Sequence, residues 1–234
     1  MTSTDLDKLI IENYKIQNGL SPILDGIINN DYYTKSKYKI LWILWEPYDD
    51  YVNKEGTHSP SQINFYNKDN YQAHCGGWDG RADILEKMDT YFKIPTLKTI
   101  SKISSKILFD NTSADFSTFS ETMKSIASIN INKYPAGHTS SNRWSHFEDI
   151  YKINGHVLRE QINFIKPEIV ITGNCLYLFK KDLPFIEKKN ICTFGRPSQQ
   201  INSTIFLDAF HPSRKGEDYS IEIVNAISNW QMSK

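Results

Sequence analysis

Tyr38–Asp50 reads YKILWILWEPYDD. From Ile40 to Trp45 every residue is apolar, so no side of the segment is suited to water. A strand buried on both faces of a parallel sheet has this pattern; an amphipathic element does not. Pro47 stops the strand, because proline has no N–H to give to a ladder. Glu46 is then the first polar group past the carboxyl end of a central strand. In open α/β sheets, ligands bind outside that end. A carboxylate held there, beside Trp45 and Tyr48, is a candidate catalytic group; its bland counterpart is a solvated Glu at a strand end.

Working outward, apolar runs and helical stripes alternate. Glu168–Thr172 (EIVIT) is a second buried parallel strand, and Ile126–Ile131, Ile191–Phe194 and Thr204–Leu207 read as further strands. Helical periodicity covers Asp5–Asn18, with Thr4 as cap, and Ser21–Asn30, which opens with Pro22 near a first turn. It returns over Gly80–Phe92, Leu97–Phe109, Ser117–Ser125, Ser145–Ile165, Cys175–Lys181 and Tyr219–Trp230. The connections Asp49–Gly77, Gly137–Arg143 and Ala209–Gly216 are polar and aperiodic, and a loop as long as the first is usually functional. The expected fold is a single α/β domain over residues 1–234. It has a four- or five-stranded, mostly parallel sheet, and residues 1–37 form an N-terminal helical extension.

Bulk composition narrows the chemistry. The chain has 234 residues, and 27 Lys+Arg balance 27 Asp+Glu. No global field attracts a polyanion, so any nucleic-acid contact must come from a local patch. Cys75, Cys175 and Cys192 form no CxxC pair, which argues against a disulfide framework and for a reducing cytoplasm. The histidines at 58, 74, 138, 146 and 156 lack ligand spacing, so no metal is expected. MTSTDLDKLI lacks a basic stretch leading into an apolar core, so no signal peptide is expected. No apolar run approaches the roughly 20 residues a membrane helix needs.

Three strand ends carry polar residues that would converge on one rim: Glu46, Asn130 and His211. In His211-Pro212-Ser213, directly after an apolar strand, the proline fixes the chain and presents the imidazole at the crevice. A lone histidine is more often a satisfied structural residue, so it is the combination that carries weight.

These residues also carry a resemblance. WEPY at 45–48 resembles the first motif of the uracil-DNA glycosylase superfamily, whose best-known form is QDPY. HPSRK at 211–215 is similar to its second motif, HPSPLS. WDGRADIL at 78–85 resembles the FVGRAGxLL of the iron–sulfur branch, and NINKYP at 130–135 its NVVKCxPP. INFIKPEIVITGN at 162–174 looks like the family's helix–KP–strand–G segment. The pieces fall in family order over about Lys39–Ser213.

The resemblance implies a three-layer α/β/α domain and a monomeric, cofactor-free DNA glycosylase that flips out a pyrimidine and hydrolyses its N-glycosidic bond. Glu46 would stabilise the cationic sugar or position water, and His211 would donate to the base carbonyl as it becomes anionic. Asn130 would read the base's Watson–Crick edge, Trp78 would stack on it, and Tyr48 and Trp45 would wall the pocket. Ser213, Arg214 and Lys215, with Arg143, would hold the DNA.

Departures from the pattern matter as well. Tyr134 stands where the iron–sulfur branch has cysteine, so no cluster is expected. Arg214-Lys215 replaces the wedging Leu of HPSPLS, residue 45 is Trp, and Asp49 stands where QDPYH has histidine. These changes widen the expected substrate from uracil to a larger modified pyrimidine, such as a hypermodified cytosine of phage DNA met in antiphage defence. Two other classes compete: a non-catalytic DNA- or partner-binding module that keeps the fold, and a hydrolase of free nucleosides.

Overall fold

A computed structural model describes residues 2–14, 22–45, 78–134, 143–181, 192–193, 196–201, 204–212 and 215–232. Glu46, Tyr48, Ser213, Arg214 and the 49–77 loop lie outside the described residues. In chain order the first elements are helix α1 (Ser3–Asn13), strands β1 (Ile23–Leu24) and β2 (Gly26–Ile27), helix α2 (Asn30–Lys35) and strands β3 (Ile40–Leu44) and β4 (Trp78–Asp79). Helices α3 (Gly80–Glu86), α4 (Met88–Tyr91), α5 (Pro95–Phe109) and α6 (Phe116–Lys124) follow, then strand β5 (Ala127–Asn130), helix α7 (Arg143–Ile165) and strand β6 (Ile169–Gly173). A 3-10 helix (Leu176–Lys181), strands β7 (Cys192–Thr193), β8 (Arg196–Ile201) and β9 (Thr204–Ala209), and helix α8 (Glu217–Met232) complete the order.

The fold is mixed α/β, as expected. β3 is an interior strand of a sheet ordered β2-β5-β3-β6-β9-β8-β7. It pairs in parallel with β6 (Ile40 opposite Ile169), and β6 pairs in parallel with β9 (Ile171 opposite Leu207). Ile40, Leu41, Trp42 and Ile43 are fully buried, which is why that stretch carries no polar position. Each contributes about 1.5–3 kcal/mol by leaving water. The Trp42 indole N–H donates to Ser104 Oγ at 3.0 Å, so the one polar atom of this run is satisfied. The sheet is wider than the expected four or five strands. The extra strands are antiparallel additions: β2 on β5, and β8 and β7 beyond β9. β8 (RPSQQI) carries no strand signal in the sequence, because it shows no apolar alternation.

Residues 22–29, within the expected helix Ser21–Asn30, are not helical. Ile23–Leu24 pairs in parallel with Trp78–Asp79, and Gly26–Ile27 pairs with Ala127–Ser128. Gly26 has φ 142°, which no helix admits. The helix begins only at Asn30, where the Asn29 side chain accepts the Tyr32 N–H. α1 likewise starts earlier than expected: Thr2 rather than Thr4 is the cap, in a reciprocal box with Asp5. The Gly80–Phe92 helix is broken at Lys87 (φ −115°, ψ 35°), and buried Asp83 ties the pieces by accepting from Lys87 Nζ and Tyr91 Oη.

The chain clusters into two compact units. The first comprises Met1–Asp25, Trp45–Gly80 and Asn130–Phe164; its core joins Leu6, Ile10, Tyr14, Leu24, Tyr134 and Val157. The second comprises Gly26–Leu44, Arg81–Ile129 and Ile165–Lys234 and holds the sheet, with α5, α6 and α8. Among the described residues no helix is long and apolar enough to cross a membrane.

Candidate functional site

In the second unit, β3, β6 and β9 run parallel, so their carboxyl ends share one edge. His211 lies two residues past β9, partly exposed, and packs on the last residue of β6. A Cβ built on Gly173 would stand 3.4 Å from the imidazole Cδ2, 3.5 Å from His211 Cα and 3.6 Å from the Ile43 carbonyl. The imidazole thus sits on the sheet edge over Gly173, between the ends of β3 and β9, with room for no more than a methyl group beneath it. Two restraints fix the turn that carries it. The Tyr219 hydroxyl donates to the Phe210 carbonyl at 2.5 Å, and Pro212 is buried. Burial pushes the Tyr219 phenol well above its ordinary range, so it remains a donor.

Asp208, near the end of β9, braces the same edge. Its Oδ1 accepts from Thr172 Oγ1 at 3.0 Å and from the Leu176 N–H at 3.3 Å, which ties β9 to β6 and to the start of the 3-10 helix. Between them Cys175 is buried, with its thiol toward the Ile43 carbonyl at 3.6 Å. Burial, and secondarily the Asp208 charge, push that thiol far up, which makes it a packing residue and not a nucleophile.

Asn130 belongs to the first unit, where the Asp25 carboxylate meets it. Asp25 Oδ2 accepts both the Asn130 backbone N–H, at 2.7 Å, and its side-chain amide, at 3.2 Å. Asp25 Oδ1 accepts from Lys133 Nζ at 2.6 Å and from Gln161 Nε2 at 2.9 Å. Every group meeting the carboxylate is a donor, as an acceptor-only group requires. Asp25, Lys133 and Gln161 are buried, and burial drives the Lys133 ammonium below the lysine range while Asp25 opposes it. Gln161 Oε1 has no partner among the described residues. Backbone bonds seat this cluster: the Ile23 N–H donates to the Lys133 carbonyl, and the Asn132 N–H to the Trp45 carbonyl, both at 2.8 Å.

Of the other expected site residues, Trp45 is half-buried and meets Phe147 edge-on, ring centroids 4.9 Å apart. Trp78 and Arg143 are described in backbone only, at the starts of β4 and α7. Lys215 is exposed, its Nζ 4.7 Å from the Phe210 ring centroid. It also lines a cavity of about 170 Å³ together with Lys98, Lys102 and Glu217. That cavity includes none of the strand-end residues and is smaller than usual ligand pockets. Asp25 and Lys133 had a faint signal in the sequence, each a charge beside an apolar run. No family model matches this chain, and no curated protein matches it in sequence.

Proposed function

We propose that this protein is a monofunctional DNA glycosylase of the uracil-DNA glycosylase type, built as a three-layer α/β/α domain, which flips out a modified pyrimidine and leaves an abasic site. The observation that carries the reading is the seat of His211. An imidazole that follows an apolar strand, rests on a glycine and has its turn held by Tyr219 is pre-positioned at the sheet edge where α/β enzymes bind ligands. Cleaving an N-glycosidic bond leaves negative charge on the base and positive charge on the sugar. A fixed donor at the base carbonyl and a carboxylate below the sugar answer those two charges, and these are the roles of His211 and Glu46. Asn130 reads the base edge; Trp78, Trp45 and Tyr48 wall it; Arg143, Ser213, Arg214 and Lys215 contact the backbone. The site of action is intracellular DNA, of the host or of an invading phage.

Incubation with genomic DNAs bearing different modified bases, followed by mass spectrometry of released bases, tests this directly. One free base and matching alkali-labile sites are expected, with release falling about 10²–10³-fold in His211→Ala and in Glu46→Ala. Full activity in both variants defeats the assignment. The equal numbers of acidic and basic residues favour one rival, a DNA-binding module without catalysis. Tight binding with no release across the whole panel would select it.

A further inference from the structure

We propose that Asp25 is the positioning residue of Asn130, locking its side-chain amide in one orientation and so deciding whether a 4-oxo or a 4-amino pyrimidine is accepted. The inference rests on the glycosylase reading, in which Asn130 meets the flipped base.

A carboxamide offers one acceptor and two N–H donors, and turned over it offers them in the reverse order. In isolation it therefore pairs with either base class. Uracil-type bases present a carbonyl at position 4 and an N–H at position 3. Cytosine-type bases present an amino group at position 4 and a bare nitrogen at position 3. Once the sugar is anchored, only the orientation of the amide distinguishes them.

In this protein that orientation is not free. Asn130 Nδ2 and its backbone N–H both point at Asp25 Oδ2, 3.2 and 2.7 Å away. Turning the amide over would press Oδ1 against an oxygen that only accepts, which costs a hydrogen bond and adds a repulsion. Asp25 cannot swing aside, because Lys133 and Gln161 hold its other oxygen inside the buried cluster. Asn130 is itself partly exposed, and its Oδ1 makes no hydrogen bond among the described residues. That oxygen and the second N–H are the atoms left to read a base, in a set order.

The decisive variant is the double substitution Asp25→Leu/Lys133→Met, which removes both charges together, leaves neither unpaired and takes away the acceptor that holds the Asn130 amide. Rates are measured on duplexes whose target bases differ only at position 4: uracil against cytosine, and 5-hydroxymethyluracil against 5-hydroxymethylcytosine. The wild-type ratio of kcat/KM within the preferred pair is expected to be large, and to fall at least about tenfold in the double variant, as an oriented hydrogen bond becomes a reversible one. A purely structural role would slow both members together, so an unchanged ratio with base release persisting overturns the inference. Should the variant fail to fold, the Asn130 side-chain amide protons of the wild-type protein decide by NMR. One proton shifted downfield and exchanging slowly supports the lock, and two protons exchanging at the rate of a free amide refute it. Wild-type protein that releases no base from these duplexes, nor from any of the genomic DNAs bearing other modified bases, defeats the glycosylase reading instead, a different outcome from an unchanged ratio.

Discussion

Asp25→Asn keeps the shape of a side chain and removes its charge, and the consequences can be worked out from its partners. Lys133 is fully enclosed, and its Nζ has one hydrogen-bond partner among the described residues, Asp25. With that charge gone, the Tyr14 ring, 6.0 Å from Nζ, is the compensation left to it among the described residues. Breaking a buried pair from one side costs about 3–5 kcal/mol, and an ammonium this isolated belongs at the upper end. Lys133→Met is gentler, since Asp25 keeps the two N–H groups of Asn130 and that of Gln161; about 3 kcal/mol is expected. The double substitution leaves no unpaired charge and should stay within about 1.5 kcal/mol of the parent. Urea unfolding of the four proteins therefore gives a coupling of at least about 4 kcal/mol.

The pH dependence has a definite sign. Burial holds the folded-state value of Lys133 below the ordinary 10.5, and in Asp25→Asn the carboxylate no longer opposes it. Between that lowered value and the ordinary one, the unfolded chain binds a proton that the folded chain does not. Stability of Asp25→Asn then rises with pH through this window, by up to about 1.4 kcal/mol per unit. Additive single losses, or stability of Asp25→Asn flat from neutral pH to 10, would refute the reasoning.

Gly173→Ala should keep base release, because its Cβ meets the imidazole at ordinary contact distance. Gly173→Val should reduce release at least about tenfold per folded molecule by displacing His211, with overpacking of about 1–3 kcal/mol seen in thermal unfolding. Ser104→Ala strands the buried Trp42 N–H, and calorimetry should show a loss of about 1–3 kcal/mol with no change in substrate preference. In a Cys75→Ser/Cys192→Ser background, Cys175 should resist a thiol reagent at pH 8 while folded and react within seconds in urea. Fast labelling of the folded protein would contradict its burial.

The sheet's centre was legible because burial on both faces writes itself into one local run. Ile40–Leu44 and Ile169–Gly173 stand where their apolar stretches lie. Long helices were legible for the related reason that a stripe repeats over several turns, as in Pro95–Phe109 and Arg143–Ile165. Short edge elements were not. β1 and β2 owe their conformation to partners near residues 78 and 127, and nothing within Ser21–Asn30 announces those pairings. β8 has no apolar strand-former before its last residue, and its conformation follows from a hairpin with β9.

The same division runs through the candidate site. His211 was visible because a proline and an apolar strand sit beside it in the chain. Gly173 was visible only as part of a motif; its function as the floor under the imidazole depends on contact across 38 residues of sequence. Asp25 lies 105 residues from Asn130, 108 from Lys133 and 136 from Gln161, so no window of sequence contains the group. Chemistry carried by one side chain at a strand end can be read locally. Orientation of that side chain is set by buried partners gathered from afar, and orientation is what separates binding a pyrimidine from choosing one. On the proposed glycosylase reading, a lock on Asn130 places the choice of base at Asp25, a residue that would never touch the base.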